Sequence, residues 1–276
     1  MKAGSKFGAG EKRVYNRTMY SVLILGGGNL GGAIARRLVG HAEVSVVDKH
    51  EDKLAALRAA GVTHAVESLA LLPTTVDLAI VAVKPAVTTQ AVETLKSQNP
   101  QVILSVAAGV TRADLQRAAP HKAVVVRAMM NTAVAHGQGC VVLSQESECP
   151  QWVSELLAPL GDVFTLPERL LDAATAVSAC APAYFLTAME GLADGGVRLG
   201  IPRTQAEAMA VSAARGAVAV AQASSVRAAH TAIVSPGGST AAGLAVLERQ
   251  ALRAAFADAA QASALAASGS RKEAHE

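Results

Sequence analysis

From Tyr20 to about Leu166 the chain alternates between short apolar, β-branched runs and stretches in which apolar residues recur every three or four positions. Val22–Leu25, Val44–Val47, Val76–Val83, Val102–Val106, Val124–Ala128, Cys140–Leu143 and Val163–Leu166 read as strands. Ala33–Leu38, Asp52–Ala60, Val87–Leu95, Arg112–Ala118 and Trp152–Leu160 read as helices. Runs that are apolar throughout belong to strands covered on both faces, so the alternation predicts an α/β unit with a doubly wound parallel sheet over 19–167. Beyond Pro167 the strand runs stop. Asp172 to Leu199 reads as one long alanine-rich helix, interrupted early by Pro182 and ended by Gly200-Ile201-Pro202. Thr204 is expected to cap a second helix, and a third is expected from about Thr240 to Ala267, which makes 168–276 an all-α domain with a frayed tail from Ser268.

The interruptions of this pattern carry the chemistry. Directly after Val22–Leu25 the glycines fall as Gly26-x-Gly28-x-x-Gly31, the spacing of a dinucleotide-binding turn of Rossmann type. Gly26 permits a sharp exit from the strand, Gly28 a close approach of pyrophosphate, and Gly31 close packing of the next helix. The unpaired N–H groups at Asn29 and Leu30 then face the phosphates. Ligands of open α/β sheets lie beyond the carboxyl ends of the strands, which directs attention to the residues after each run. Asp48 stands 22 positions past Gly26, where a carboxylate can accept from both ribose hydroxyls or else cap the next helix. It favours NADH slightly, while Lys49 and His50 beside it can answer the 2′-phosphate of NADPH. Val83, Lys84 and Pro85 follow the third long run, and Ser105 to Val110, with the small residues Ala107 and Gly109, follow the fourth; a planar nicotinamide fits beside them. Lys84 reads equally as a solvated loop lysine. Asn131, in Asn131-Thr132, either caps a turn or meets the ligand.

Composition narrows the class. A chain of 276 residues, 51% hydrophobic and 17% charged, is expected to be globular with two ordinary cores. The net charge of +3 sits in the first nineteen residues, where five cations face only Glu11, so the body is near neutral and no nucleic-acid surface is expected. Residues 1–18 are read as a flexible basic extension. Three sparse cysteines, no leader and no membrane-length apolar run point to a cytoplasmic protein without disulfides, and no metal site is expected. The helices after Pro167 carry few charges, more apolar face than about a hundred residues can bury alone, so a homodimer interleaving them is expected.

Between the last two expected helices lies Ser235-Pro236-Gly237-Gly238-Ser239-Thr240. Consecutive N–H groups at a helix N-terminus make an anion site suited to a carboxylate. No lysine occurs between Lys122 and Lys272, and His230 is the only histidine after His136 until His275. The helical domain thus offers little for the proton transfer that a hydroxy-acid dehydrogenase needs. A protonated imine is already electrophilic, and an enzyme reducing one needs chiefly to orient its ring and anchor its carboxylate.

The glycine loop Gly26–Gly31, with Val83-Lys84-Pro85, Ser105–Val110, Pro182-Ala183-Tyr184, Leu192–Val197, Leu199–Arg203 and Ser235–Thr240 in this order, resembles the pyrroline-5-carboxylate reductase family from Met19 to about Leu265. The resemblance implies NAD(P)H-dependent reduction of the cyclic imine 1-pyrroline-5-carboxylate to L-proline by a dimer that can assemble further. It implies that Ser235, Gly238, Ser239 and Thr240 hold the carboxylate and ring nitrogen, with the Thr240 hydroxyl on the nitrogen as the catalytic contact. The chain departs from the family pattern at Ala179-Cys180-Ala181, Met130, Ala133 and Val234. These departures keep two alternatives open: reduction of another cyclic imino acid, and a catalytically idle dinucleotide-binding dimer.

Overall fold

The computed structural model describes residues 19–146 and 148–273; the basic extension 1–18 and the last three residues lie outside them. Strands and helices alternate as β1 (Tyr20–Leu25), α1 (Asn29–Leu38), β2 (Ala42–Val47), α2 (Glu51–Ala59), β3 (His64–Val66), β4 (Leu78–Val81), α3 (Pro85–Thr94), β5 (Val102–Ser105), α4 (Arg112–Ala118), β6 (Val124–Met130), β7 (Gly139–Ser144), α5 (Trp152–Leu157) and β8 (Gly161–Leu166). They form one eight-stranded sheet of order β3-β2-β1-β4-β5-β6-β7-β8. All neighbours are parallel except β6 and β7, so the expected parallel sheet holds with one reversal. The reversal follows from the connection. Residues 131–138 are too few for a crossover helix and instead make a 3₁₀ turn, Thr132–His136, closed by Gly137 at φ 67°.

β1 is buried on both faces, and its residues divide between two cores. Val22 and Ile24 pack with Ile34, Leu38, Leu54 and Leu57 on one side. Leu23 and Leu25 pack with Val92, Leu95, Leu115 and Val125 on the other. Each of these leucine, isoleucine and valine side chains contributes about 1.5–3 kcal/mol by leaving water. Beyond β1 the order steps outward in both directions, so the carboxyl ends of β1 and β4 flank the switch point at which ligands bind in such sheets.

The helical part comprises α6 (Leu171–Ser178), α7 (Ala181–Arg198), α8 (Arg203–Ala223), α9 (Val226–Ala232), α10 (Ser239–Arg249) and α11 (Leu252–Glu273). Four expectations are corrected here. The long helix from Asp172 is two helices, because Pro182 supplies no N–H and is accommodated only in the first turn of α7. Pro202, not Thr204, precedes α8, and Thr204 lies inside its first turn. The helix expected from Thr240 is broken at Ala251, whose φ of 52° no helix accommodates. The final helix continues to Glu273 rather than fraying at Ser268. Within α7 and α8 only Ala193, Ala206 and Ala210 are buried, along the seam where Gly196 lets the two helices approach closely. Phe185, Leu186, Leu192, Leu199 and Met209 are exposed on the remaining surface. By length and composition the helical stretch 168–198 would suffice to cross a membrane, unlike any uninterrupted apolar run. It is divided between α6 and α7, and α6 packs on β6, β7 and α11.

Candidate active site

At the carboxyl edge of β1, main-chain contacts leave no room for a side chain at Gly26 or Gly31. Gly26 turns at φ 101°, its N–H donating to the Val47 carbonyl at 2.8 Å. A Cβ at Gly31 would lie 1.9 Å from the Gly26 oxygen, so α1 can start here only on glycine. Gly28 is the N-cap of α1 and has no side chain to satisfy the first-turn amides. A Cβ at Gly28 would meet nothing within 4 Å, so the space in front of the helix is open. Uncapped amides, the positive helix end and open space over Gly28 fit a pyrophosphate. Asn29 and Leu30 begin the helix at this opening.

Asp48 stands after β2 and serves the same loop. Its Oδ2 accepts from the Gly27 N–H at 2.8 Å and its Oδ1 from the His50 N–H at 2.9 Å, with Lys53 Nζ at 3.6 Å. Burial alone would raise this carboxyl. The two backbone N–H bonds and the charges of Lys53 and His50 outweigh it and hold the group below its ordinary value, so it is ionised at neutral pH. The N-cap of α2 is His50, so Asp48 is a clasp on the glycine loop rather than a helix cap. Lys49 and His50 are exposed beside it.

The edge continues through the loops after β4 and β5. Lys84 is the N-cap of α3, with Pro85 as the first helical residue; its carbonyl accepts from the buried Thr88 hydroxyl at 3.0 Å while the residue is exposed. Val83 is half-buried between Ala82 and Lys84. Ala107 is buried, its N–H donating to Ser105 Oγ at 3.4 Å, and Gly109 turns at φ 77°. Asn131 takes the turn-capping role. Its Oδ1 accepts from Ala133 and Cys140, and its Nδ2 donates to the Ser178 carbonyl at 3.0 Å, which occupies the side chain within the protein.

The loop before α10 has the expected local form. Gly238 N–H donates to the Ser235 carbonyl at 3.1 Å, Gly237 turns at φ 68°, and α10 starts at Ser239 with no side chain capping it. Ser235, Ser239 and Thr240 are exposed. Among the described residues no hydrogen bond joins this loop to the glycine loop or to the loops after β4 and β5, and α10 packs mainly on α11. Burial pushes the Cys140 and Cys149 thiols up, with the nearby Asp162 and Glu146 charges adding to the effect, so neither is a poised nucleophile. Sequence reasoning passed over the buried Arg127 and its partner Glu168; the one available signal was a lone cation inside an apolar run.

A dinucleotide cradle with two flanking edge loops, followed by a helical domain bearing an amide-rich loop, defines a dinucleotide-dependent oxidoreductase with a separate dimerisation domain. Residues 168–269 match the family described as pyrroline-5-carboxylate reductase dimerisation, and 21–109 match NADP oxidoreductase, coenzyme F420-dependent. A pyrroline-5-carboxylate reductase of Corynebacterium melassecola is 31% identical over 265 residues, covering 89% of this chain and 97% of the relative. One of Mycobacterium leprae is 32% identical, covering 86% and 92%. The solved pyrroline-5-carboxylate reductase of Coxiella burnetii superposes with a TM-score of 0.84 at 25% identity, over 92% of this chain and 99% of that one. That of Streptococcus pyogenes gives 0.77 at 27%, over 91% and 98%. The chain belongs to the pyrroline-5-carboxylate reductase family.

Proposed function

We propose that this protein reduces the C=N bond of 1-pyrroline-5-carboxylate to give L-proline, taking its hydride from NAD(P)H, as a cytoplasmic homodimer in proline biosynthesis. The observation that carries the reading is the presence in one chain of the Gly26–Gly31 cradle and the Ser235–Thr240 loop, in the two halves that relatives match over nearly their whole length. Neither alternative, another cyclic imino acid or an idle dimer, is favoured by these relatives.

The nicotinamide supplies a hydride donor when bound. The chain supplies position. Gly28, Asn29 and Leu30 hold the pyrophosphate, Asp48 and Lys49 the adenosine ribose, and Val83, Lys84, Pro85, Ala107 and Gly109 flank the nicotinamide. Ser235, Gly238 and the N–H of Ser239 hold the substrate carboxylate, and Thr240 Oγ1 meets the ring nitrogen. No strong acid is required, because the amine product keeps the proton already on the imine nitrogen.

Loop 235–240 is not hydrogen-bonded to the cradle of its own chain, and the large apolar residues of α7 and α8 lie exposed. Both are explained by interleaving of the helices of two copies, each site combining the cradle of one with the loop of the other. Activity should therefore fall on dilution together with the dimer mass measured by light scattering or sedimentation; a fully active monomer would remove the shared site.

The Asp48 carboxylate faces the ribose and favours NADH slightly. Asp48→Ser should shift the ratio of kcat/KM values towards NADPH, with both values lowered by loss of the bond to Gly27. Equal losses with an unchanged ratio would mean that Asp48 only clasps the loop. The reading as a whole is tested by oxidation of NADH and NADPH, followed by absorbance, across cyclic imines with and without a carboxylate. Turnover confined to the carboxylated five-membered ring is expected, and none with any imine would overturn it.

A further inference from the structure

Arg127 is wholly withdrawn from solvent, the bulkiest side chain among the described residues to be so. It interrupts the apolar β6, and its backbone N–H donates to Ser144 Oγ at 2.9 Å. Only Nη1 of its guanidinium has a partner, Glu168 Oε1 at 3.0 Å; Nε and Nη2 have none among the described residues. A buried cation satisfied at one of three nitrogens costs stability, and a leucine or methionine would fill the space with less penalty. Packing does not account for arginine here.

Glu168 shows what the cation holds. The same Oε1 accepts from the N–H of Arg112, the first residue of α4, at 2.9 Å. The Arg112 side chain in turn donates to the Val125 carbonyl at 3.2 Å and pairs with Glu146 at 3.0 Å. The segment Val106–Val110 is thus anchored at both ends. It leaves β5 at Ser105, paired in register with Arg127, and enters α4 at Thr111-Arg112, where the Glu168 carboxylate sits on the helix N-terminus.

We propose that Arg127 is a positioning residue: by fixing Glu168 it holds the start of α4, and with it the Val106–Val110 loop that flanks the nicotinamide ring. The assignment of that loop rests on the function proposed above. Glu168 is also where the dimerisation match begins, so the brace ties the nicotinamide edge to the boundary of the helical domain.

The test uses the full chain as Arg127→Met, Arg127→Lys and Glu168→Ala, the last at a partly exposed residue. Amide hydrogen exchange over 106–112, measured without dinucleotide, should be at least ~10-fold faster in Arg127→Met and Glu168→Ala, with unchanged protection in β1 and β2. The affinity advantage of NADH over ADP-ribose should fall ~10-fold in both, while ADP-ribose binds as in the parent. Arg127→Lys should recover most of both effects. If exchange over 106–112 and the affinity ratio match the parent in both Arg127→Met and Glu168→Ala, the proposal is wrong. It is equally wrong if protection falls throughout the sheet and both ligands weaken together. Exchange is read without substrate or dinucleotide, so it decides the brace even if the parent protein reduces no imine.

Discussion

Gly31→Ala should abolish measurable dinucleotide binding and lower thermal stability, whereas Gly28→Ala should lose binding alone. At Gly31 the new methyl would sit 1.9 Å from the Gly26 oxygen, a main-chain atom that can move only if the strand-to-helix turn opens. Opening the turn removes the array of amides at the start of α1, and a loss of at least ~100-fold in affinity, about 2.7 kcal/mol, follows. At Gly28 the methyl meets no protein atom within 4 Å, and the φ of −68° suits alanine. It enters only the space assigned to pyrophosphate, so affinity should drop roughly 10- to 100-fold, about 1.4–2.7 kcal/mol, with an unchanged Tm. Titration by NADH fluorescence beside a melting curve separates the two. Parental affinity in Gly28→Ala would show that pyrophosphate does not approach the loop there.

The second large effect is expected at Thr240. The N-cap of α10 is Gly238 and the helix begins at Ser239, so the Thr240 hydroxyl does not cap it. Valine keeps the volume and β-branching, and Thr240 is exposed in the single chain. Thr240→Val should therefore fold and dimerise normally. What it should lose is the hydrogen bond proposed to the imine nitrogen, which leaves a desolvated polar group unpaired at about 1–3 kcal/mol, or roughly 5- to 150-fold in kcat/KM. Dinucleotide affinity should hold, because Gly26–Gly31 is untouched. Undiminished turnover would exclude the hydroxyl from the reaction.

The sheet was largely legible because strands covered on both faces are continuous apolar runs, as in Val22–Leu25 and Val102–Ser105. β3 escaped detection because three residues, His64–Val66, are too short to show a period. The reversal at β7 left no mark on composition, since β6 and β7 are equally buried; the short 131–138 connection held the information. In the helical domain, Gly200-Ile201-Pro202 announced one boundary. Nothing in Gln250-Ala251 marks the break before α11, because alanine favours a helix and a positive φ runs against its propensity. α9 had a local signal in Ser225, whose hydroxyl accepts from the Ala228 N–H at 3.2 Å. At the site, the glycine spacing and the Ser235–Thr240 loop could be read because their chemistry is local. The Asp48 bond to Gly27, the Asn131 bond to Ser178 and the Arg127–Glu168 brace could not, since each depends on segments 21 to 47 positions apart meeting in space.

The most direct measurement is the fate of the hydride. Incubation of the protein with 1-pyrroline-5-carboxylate and reduced dinucleotide deuterated at the transferable position of the nicotinamide, followed by mass spectrometry and NMR of the product, should give proline with one deuterium at ring carbon C5. Oxidation of the dinucleotide without deuterated proline, or no oxidation at protein concentrations where the dimer is intact, would contradict the account.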